Sequence, residues 1–326
     1  MSPRLRSALV VTFGIAVGGV ALATALAGAD VDAIVAAMTR AGWVTIAIAA
    51  LLHVAIQAIY AWRWRAILRW PSGLPFGSAF GIVGLGYLAN QTLPGRPGEL
   101  IRAAVVRARC HVELARGIGS LALEKLLDGG AILLATLASF AGGVASDGVR
   151  ALAIGGAAVA TVGVLGFGVA ASRRRALAAR GATGGLIGLI ARSIALAVEP
   201  AATLRIRRAL VATLAGGVAI TAAIVGQLAL IGYGVGVGPA PIAWLALYGA
   251  LGLTSLLPGA PGYIGTYQLA AVAILGHYGV ERENAIAIAA IYQLSRLVGA
   301  FAVTLWFVLR EGFRTVLGGI GARFDS

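Results

Sequence analysis

Leu93-Pro94-Gly95-Arg96-Pro97-Gly98 and Leu257-Pro258-Gly259-Ala260-Pro261-Gly262 are two copies of one pattern, Leu-Pro-Gly-x-Pro-Gly, each set in apolar sequence. Proline lacks an amide hydrogen and glycine carries a large entropy cost when ordered, so this density of both stops a helix. In a bilayer, non-helical backbone persists only where protein buries it or water reaches it. Two such breaks at corresponding places in two halves of a chain point to a transporter's binding site.

The surrounding sequence places those breaks in a membrane. The 326 residues are 60% hydrophobic and only 12% charged, with a mean hydropathy of +0.92. A soluble domain does not need that much apolar surface, and no alternating strand pattern suggests a β-barrel. The net charge of +14 does not indicate a nucleic-acid partner, because the arginines fall between apolar runs, where membrane topology accounts for them. Cys110 is the one cysteine, so no disulfide can form within the chain. His53, His111 and His277 lack ligand-like spacing, so no metal site is expected. No GxxxxGK[ST] loop occurs, so direct ATP use and a nucleotide cofactor are not expected either.

The chain reads as an all-α polytopic membrane protein, one integral domain over 1–326. Six full spans are expected at about 8–28, 43–61, 117–143, 150–171, 209–235 and 285–309. The first follows Arg4 and Arg6 and ends near Ala25-Leu26-Ala27, a signal-peptide-like pattern, but its length favours a retained helix. Segments 76–110 and 241–277 each carry one break, and their halves are short for independent crossings. They are read as re-entrant helical hairpins.

Arginine placement agrees. With both termini cytoplasmic, Arg63, Arg65 and Arg69 fall inside, as do Arg173–Arg175, Arg180, Arg192, Arg205, Arg207, Arg208, Arg310, Arg314 and Arg323. Arg96, Arg102, Arg107, Arg109 and Arg116 stay inside only if the first hairpin returns. Arg40, Arg150 and Arg282 are left outside, beside Asp30, Asp32, Asp147, Glu281 and Glu283. The two hairpins then enter from opposite sides. The first repeat is 43–171, the second 209–310, and residues 172–208 form a linker with a helix along the cytoplasmic interface.

Intramembrane charge marks the candidate site. Glu124, Lys125 and Asp128 lie within the third full span, with Glu124 and Asp128 on one helix face. Each such charge costs about 2.5–3.5 kcal/mol at mid-helix, so partners or water are required. Arg296 is the corresponding charge of the last span, beside Tyr292 and Gln293, and two readings stand: an ion pair with Asp128, or a functional charge. Arg96, Glu99 and Arg102 flank the first break. A helix starting at Gly98-Glu99 would aim its N-terminus at an anion such as a lipid phosphate, unless Glu99 simply caps it. The second break offers Tyr263, Thr266, Tyr267 and Gln268, as hydrogen-bonding groups or as an interfacial aromatic belt.

Three elements resemble the transmembrane-domain family of lysylphosphatidylglycerol synthases, also called flippase-like integral membrane proteins. Asn90-Gln91-Thr92-Leu93-Pro94-Gly95-Arg96-Pro97-Gly98-Glu99-Leu100-Ile101-Arg102 is similar to its N-x-x-(L/F)-P-x-x-x-G-E-x-x-R element. Glu124-Lys125-Leu126-Leu127-Asp128 resembles its E-(K/R)-x-x-D, and Pro258 through Gly262 and Gly265 resemble its P-x-x-x-G-x-x-G. The resemblance implies translocation or handling of a lipid between leaflets of the cytoplasmic (inner) membrane. Bifunctional members add a soluble aminoacyl-transferase domain; here the sequence ends at Ser326, and that activity is not expected.

The leading expectation is therefore a flippase or carrier for a phospholipid-, glycolipid- or isoprenoid-type amphiphile with an anionic or phosphate-bearing headgroup. A membrane-embedded transferase acting on a lipid-linked substrate, with Glu99 or Asp128 as general base, is the alternative. A scaffold subunit for a partner lipid-modifying enzyme is another.

Overall fold

A computed structural model describes residues 3–68, 75–93, 95–110, 112–141, 147–182, 184–255 and 260–312. Pro94, Pro258 and Gly259 of the two breaks lie outside the described residues, as do Arg69, His111, Arg314 and Arg323. The described residues contain helices and no strand.

The first half comprises α1 (Pro3–Leu26), α2 (Val31–Leu68), α3 (Phe76–Thr92), α4 (Gly98–Cys110), α5 (Leu114–Ala141) and α6 (Asp147–Ser172). The linker folds as α7 (Arg174–Gly181), α8 (Gly185–Ala197) and a 3-10 helix, Glu199–Arg205. The second half comprises α9 (Arg207–Val235), α10 (Pro241–Thr254), a 3-10 turn at Pro261–Tyr263, α11 (Thr266–His277) and α12 (Arg282–Glu311). Among the described residues, Val31–Leu68, Ile187–Arg205, Arg207–Val235 and Arg282–Glu311 are long and apolar enough to cross a membrane. Residues 187–205 were expected to lie along the interface; their helix changes from α to 3-10 at Glu199-Pro200.

Two expected boundaries shift for identifiable reasons. α2 begins before residue 43, but Gly42 breaks it with φ 68° and ψ 164°, a conformation only glycine adopts without strain. At its other end α2 continues past residue 61, because Trp64, Ile67 and Leu68 are buried. Arg63, expected in a cytoplasmic loop, is consequently inside the packed helix and fully buried.

α3, α4, α10 and α11 have 17, 13, 14 and 12 residues. At 1.5 Å per residue they are roughly 18–26 Å long, short of the ~30 Å hydrocarbon core. The outer ends of α3 and α4 share one partner. Glu311, at the end of α12, accepts from Ser78 of α3 at 3.1 Å and Arg109 of α4 at 3.2 Å. At the other end of α12, Asn284 accepts from Arg40 at 2.9 Å, and Arg40 also donates to the Val235 carbonyl that leads into α10.

Two apolar clusters follow this division. One gathers Trp244, Leu247, Ile274 and Ile288 around α10 and α11; the other gathers Trp64, Ile82, Val105 and Phe307 around α3 and α4. The long helices α2, α9 and α12 contribute to both. Close approach of α10 to α5 depends on small residues: a Cβ on Gly249 would lie 2.6 Å from Thr136 Oγ1, and one on Gly252 2.6 Å from Ile132 Cγ1.

Candidate functional site

Where α3 ends and α4 begins, Asn90 ties the break together. Its Oδ1 accepts the Gly98 amide hydrogen at 2.8 Å, and its amide donates to the Glu99 carboxylate at 3.2 Å. Satisfying an orphan donor of a helix start is what a cap does, here supplied from the preceding helix. Gln268 holds the second break comparably, its Oε1 accepting the Gly265 amide hydrogen at 2.8 Å. Gln268 then donates to Gln293 of α12, and Gln293 donates to the Gly262 carbonyl at 2.8 Å. Both breaks turn through consecutive left-handed residues, Gly95-Arg96 with φ 76° and 52°, and Gly262-Tyr263 with φ 66° and 63°.

The breaks meet. The Arg96 guanidinium stacks on the Tyr263 ring, 3.7 Å from its centroid, and donates to the Ser255 carbonyl at the end of α10. Arg96 therefore addresses the second break, while Glu99 and Asn90 occupy the start of α4 where an anion was expected.

The carboxylates each have a cation. Arg102 donates to Glu124 at 2.8 Å, both side chains being almost fully buried, with the guanidinium 4.4 Å from the Trp64 ring. Lys125 reaches back to Glu99 at 2.9 Å, and its side chain remains 58% exposed. Arg63 pairs with Asp128 at 2.7 Å, and Tyr60 donates to the other Asp128 oxygen at 3.2 Å.

Arg296 is different. Its guanidinium donates to the Tyr267 hydroxyl at 3.1 Å and faces the rings of Tyr263, Tyr267 and Tyr292 at 5.4–5.7 Å. Among the described residues it has no carboxylate partner, so the anticipated Asp128–Arg296 ion pair does not form. Offset matching of the two halves sets Asp128 against Arg296, but Arg63 of α2 takes Asp128 instead, at 2.7 Å.

Asn90, Glu99, Arg102, Glu124, Lys125, Asp128, Tyr263, Tyr267 and Arg296 line one cavity of about 190 Å³. Arg96 and Gln268 stand behind it, bracing Tyr263 and Gln293. Tyr60, Tyr87, Tyr248 and Tyr292 add phenols to the wall, and Ile56, Ile132, Ile224 and Leu251 an apolar side. A lining that combines charged and phenolic groups with aliphatic side chains suits an amphiphile. Among the described residues, no three His, Cys, Asp or Glu side chains lie close enough to hold a metal ion.

Sequence reasoning missed His53, Tyr60 and Arg63 as lining or supporting residues. A signal was available: His53, Gln57, Tyr60 and Trp64 recur at i, i+4, i+7 and i+11, one polar stripe on an otherwise apolar helix. His53 is 2% exposed, and its ring packs edge-on against Tyr87 at 5.5 Å.

Comparison with known proteins adds family context. The sequence model of the lysylphosphatidylglycerol synthase TM region matches residues 11–305. A 142-residue stretch is 29% identical to a Haloferax volcanii protein named Glycosyltransferase AglD. That match takes in 43% of this chain and 22% of the archaeal protein, so the chain spans only a fraction of that relative's length.

Proposed function

The chain belongs to the lysylphosphatidylglycerol synthase transmembrane-region family, and from that premise we propose that it carries a lipid between membrane leaflets. The cargo is a phospholipid-, glycolipid- or isoprenoid-type amphiphile whose phosphate-bearing headgroup enters the central cavity. One observation carries the reading: three ion pairs close within the cavity region and leave Arg296 without a carboxylate among the described residues. An unneutralised guanidinium at membrane depth is costly, and an incoming phosphate relieves that cost.

The mechanism draws on both breaks. α3/α4 and α10/α11 act as re-entrant hairpins from the cytoplasmic and outer sides, within inverted repeats of an inner-membrane protein whose termini are cytoplasmic. Their tips meet through Arg96 and Tyr263. A headgroup phosphate drawn to Arg296 competes for the tyrosines that hold this contact, so capture loosens one hairpin against the other. Lys125, the most exposed charge of the three pairs, exchanges Glu99 for the headgroup during passage. Alternating access follows from which hairpin moves, while the buried pairs Arg63–Asp128 and Arg102–Glu124 keep α2, α4 and α5 together.

Reconstitution into liposomes with fluorescent lipids of several headgroups tests the proposal. Headgroup-selective transbilayer movement that is lost in Arg296→Gln, while the protein remains folded, is the expected result. No movement of any lipid overturns it. The name of the archaeal relative motivates a second reading, group transfer onto a lipid-linked acceptor. Mass spectrometry of the recovered lipid separates the two, since a carrier returns its lipid unchanged and a transferase does not.

A further inference from the structure

A groove separate from the central cavity lies where α2 and α9 meet. These helices run antiparallel: Thr203, just before α9, donates to the Ile67 carbonyl at 3.2 Å, and Gln227 of α9 donates to the Ala49 carbonyl at 2.7 Å. At the end where α9 begins, Trp62, Arg207, Arg208, Val211, Ala212 and Ala215 line a groove of about 460 Å³. It shares no lining residue with the central cavity.

The groove is amphipathic along its length. Arg208, Val211, Ala212 and Ala215 recur at i, i+3, i+4 and i+7, so they form one stripe of α9 with the charge at its head. The alanines leave the depth of the groove open, and Val211 and Trp62 are 57% and 45% exposed at its walls. Arg207 and Arg208 are exposed, and neither guanidinium has a partner among the described residues. In the central cavity, by comparison, Arg102 and Lys125 are neutralised by carboxylates and Arg296 is hydrogen-bonded to Tyr267. Two unpaired cations above an apolar channel, beside a half-exposed tryptophan of the type that sits at headgroup level, match a charged head on an acyl chain.

We propose that this groove holds an anionic phospholipid, its phosphate at Arg207 and Arg208 and an acyl chain along Val211–Ala215 against Trp62. The lipid fills the seam between α2 and α9 and is bound whether or not the protein translocates anything. Each arginine near a membrane surface contributes enough that losing both weakens anionic-lipid binding about tenfold or more.

The full-length protein, purified and titrated with phosphatidylglycerol or phosphatidylcholine under native mass spectrometry, provides the test. Phosphatidylglycerol should be retained over phosphatidylcholine, and Arg207→Gln with Arg208→Gln should remove that preference. Arg207→Lys with Arg208→Lys should keep most of it, which separates charge from misfolding. Ala212→Trp with Ala215→Trp should block retention while both arginines remain, whereas inorganic phosphate should not compete at millimolar concentration. Equal retention of both lipids, unchanged retention in the double Gln variant, or a double Gln variant that alters only oligomeric state would overturn the proposal.

Discussion

Arg63 and Asp128 form a 2.7 Å ion pair between α2 and α5, with the arginine side chain fully enclosed. α9 seals it from the far side: a Cβ added to Gly216 would lie 3.2 Å from Arg63 Cβ. The pair thus joins three helices at the wall of the cavity. Removing one member of a buried pair leaves the other charge without compensation, which costs about 3–5 kcal/mol. Arg63→Gln and Asp128→Asn should each lower the unfolding temperature in detergent markedly. Exchanging the two, Arg63→Asp with Asp128→Arg, should recover part of that loss. The exchange Asp128→Arg with Arg296→Asp should recover none, because those side chains are not partners.

The Lys125–Glu99 pair should behave in the opposite way. Its lysine is more than half exposed, and exposed pairs contribute about 0–1 kcal/mol. Lys125→Gln should leave thermal stability within that range while reducing lipid movement in liposomes several-fold. Equal effects on stability and transport would assign Lys125 a purely structural role.

Arg296 tests headgroup recognition. A hydrogen bond to a charged group contributes about 1.5–3 kcal/mol, so Arg296→Gln should weaken binding of a phosphate-bearing lipid roughly ten- to hundredfold. Arg296→Lys keeps the charge but loses the guanidinium's several donors beside Tyr263, Tyr267 and Tyr292, and should fall between wild type and Arg296→Gln. Titration of a labelled lipid into detergent-solubilised protein measures both.

Gly265 and Gly236 both have left-handed backbone, with φ 87° and 95°, yet only one is crowded. A Cβ on Gly265 would lie 1.9 Å from the Gly18 carbonyl oxygen of α1, whereas one on Gly236 meets nothing within 4 Å. Gly236→Ala should cost only backbone strain, about 1–2 kcal/mol. Gly265→Ala should add a steric penalty of about 1–3 kcal/mol and detach α1 from the second break. Thermal unfolding of the two variants gives the comparison.

Re-entry of the hairpins predicts paired accessibility. In a Cys110→Ser background, cysteines at Gly77 and Arg107 should react with a membrane-impermeant thiol reagent from the cytoplasmic face. Cysteines at Ala240 and Gly279 should react from the outer face. Labelling of the two members of either pair from opposite faces would show that the helices cross the membrane.

The second helix of the first pair was legible because Pro97-Gly98-Glu99 is a helix start in any context, and α4 begins at Gly98. Helix ends that depend on packing were not. The extension of α2 to Leu68 turns on burial of Trp64 and Ile67, and sequence alone presents Trp-Arg-Trp-Arg as a membrane-interface run. Glu124 and Asp128 were identifiable as costly carboxylates within an apolar span, since that cost depends only on residue type and sequence position. Which cation serves which carboxylate could not be read. Lys125 turns to Glu99 rather than to Asp128 three residues away, because the end of α3 and the start of α4 bring Glu99 beside it.

The sequence by itself determined an all-helical membrane chain, two helix breaks, and the set of charges that must find partners, because proline, glycine and hydropathy act locally. Only the tertiary structure decided that the breaks meet through Arg96 and Tyr263, and that Arg296 is the cation of the cavity lining with no carboxylate partner among the described residues. Those outcomes depend on which helices lie side by side. Arg63 on α2 claims Asp128 on α5 across 65 residues of chain, a contact set by the packing of α2, α5 and α9 and by no local pattern.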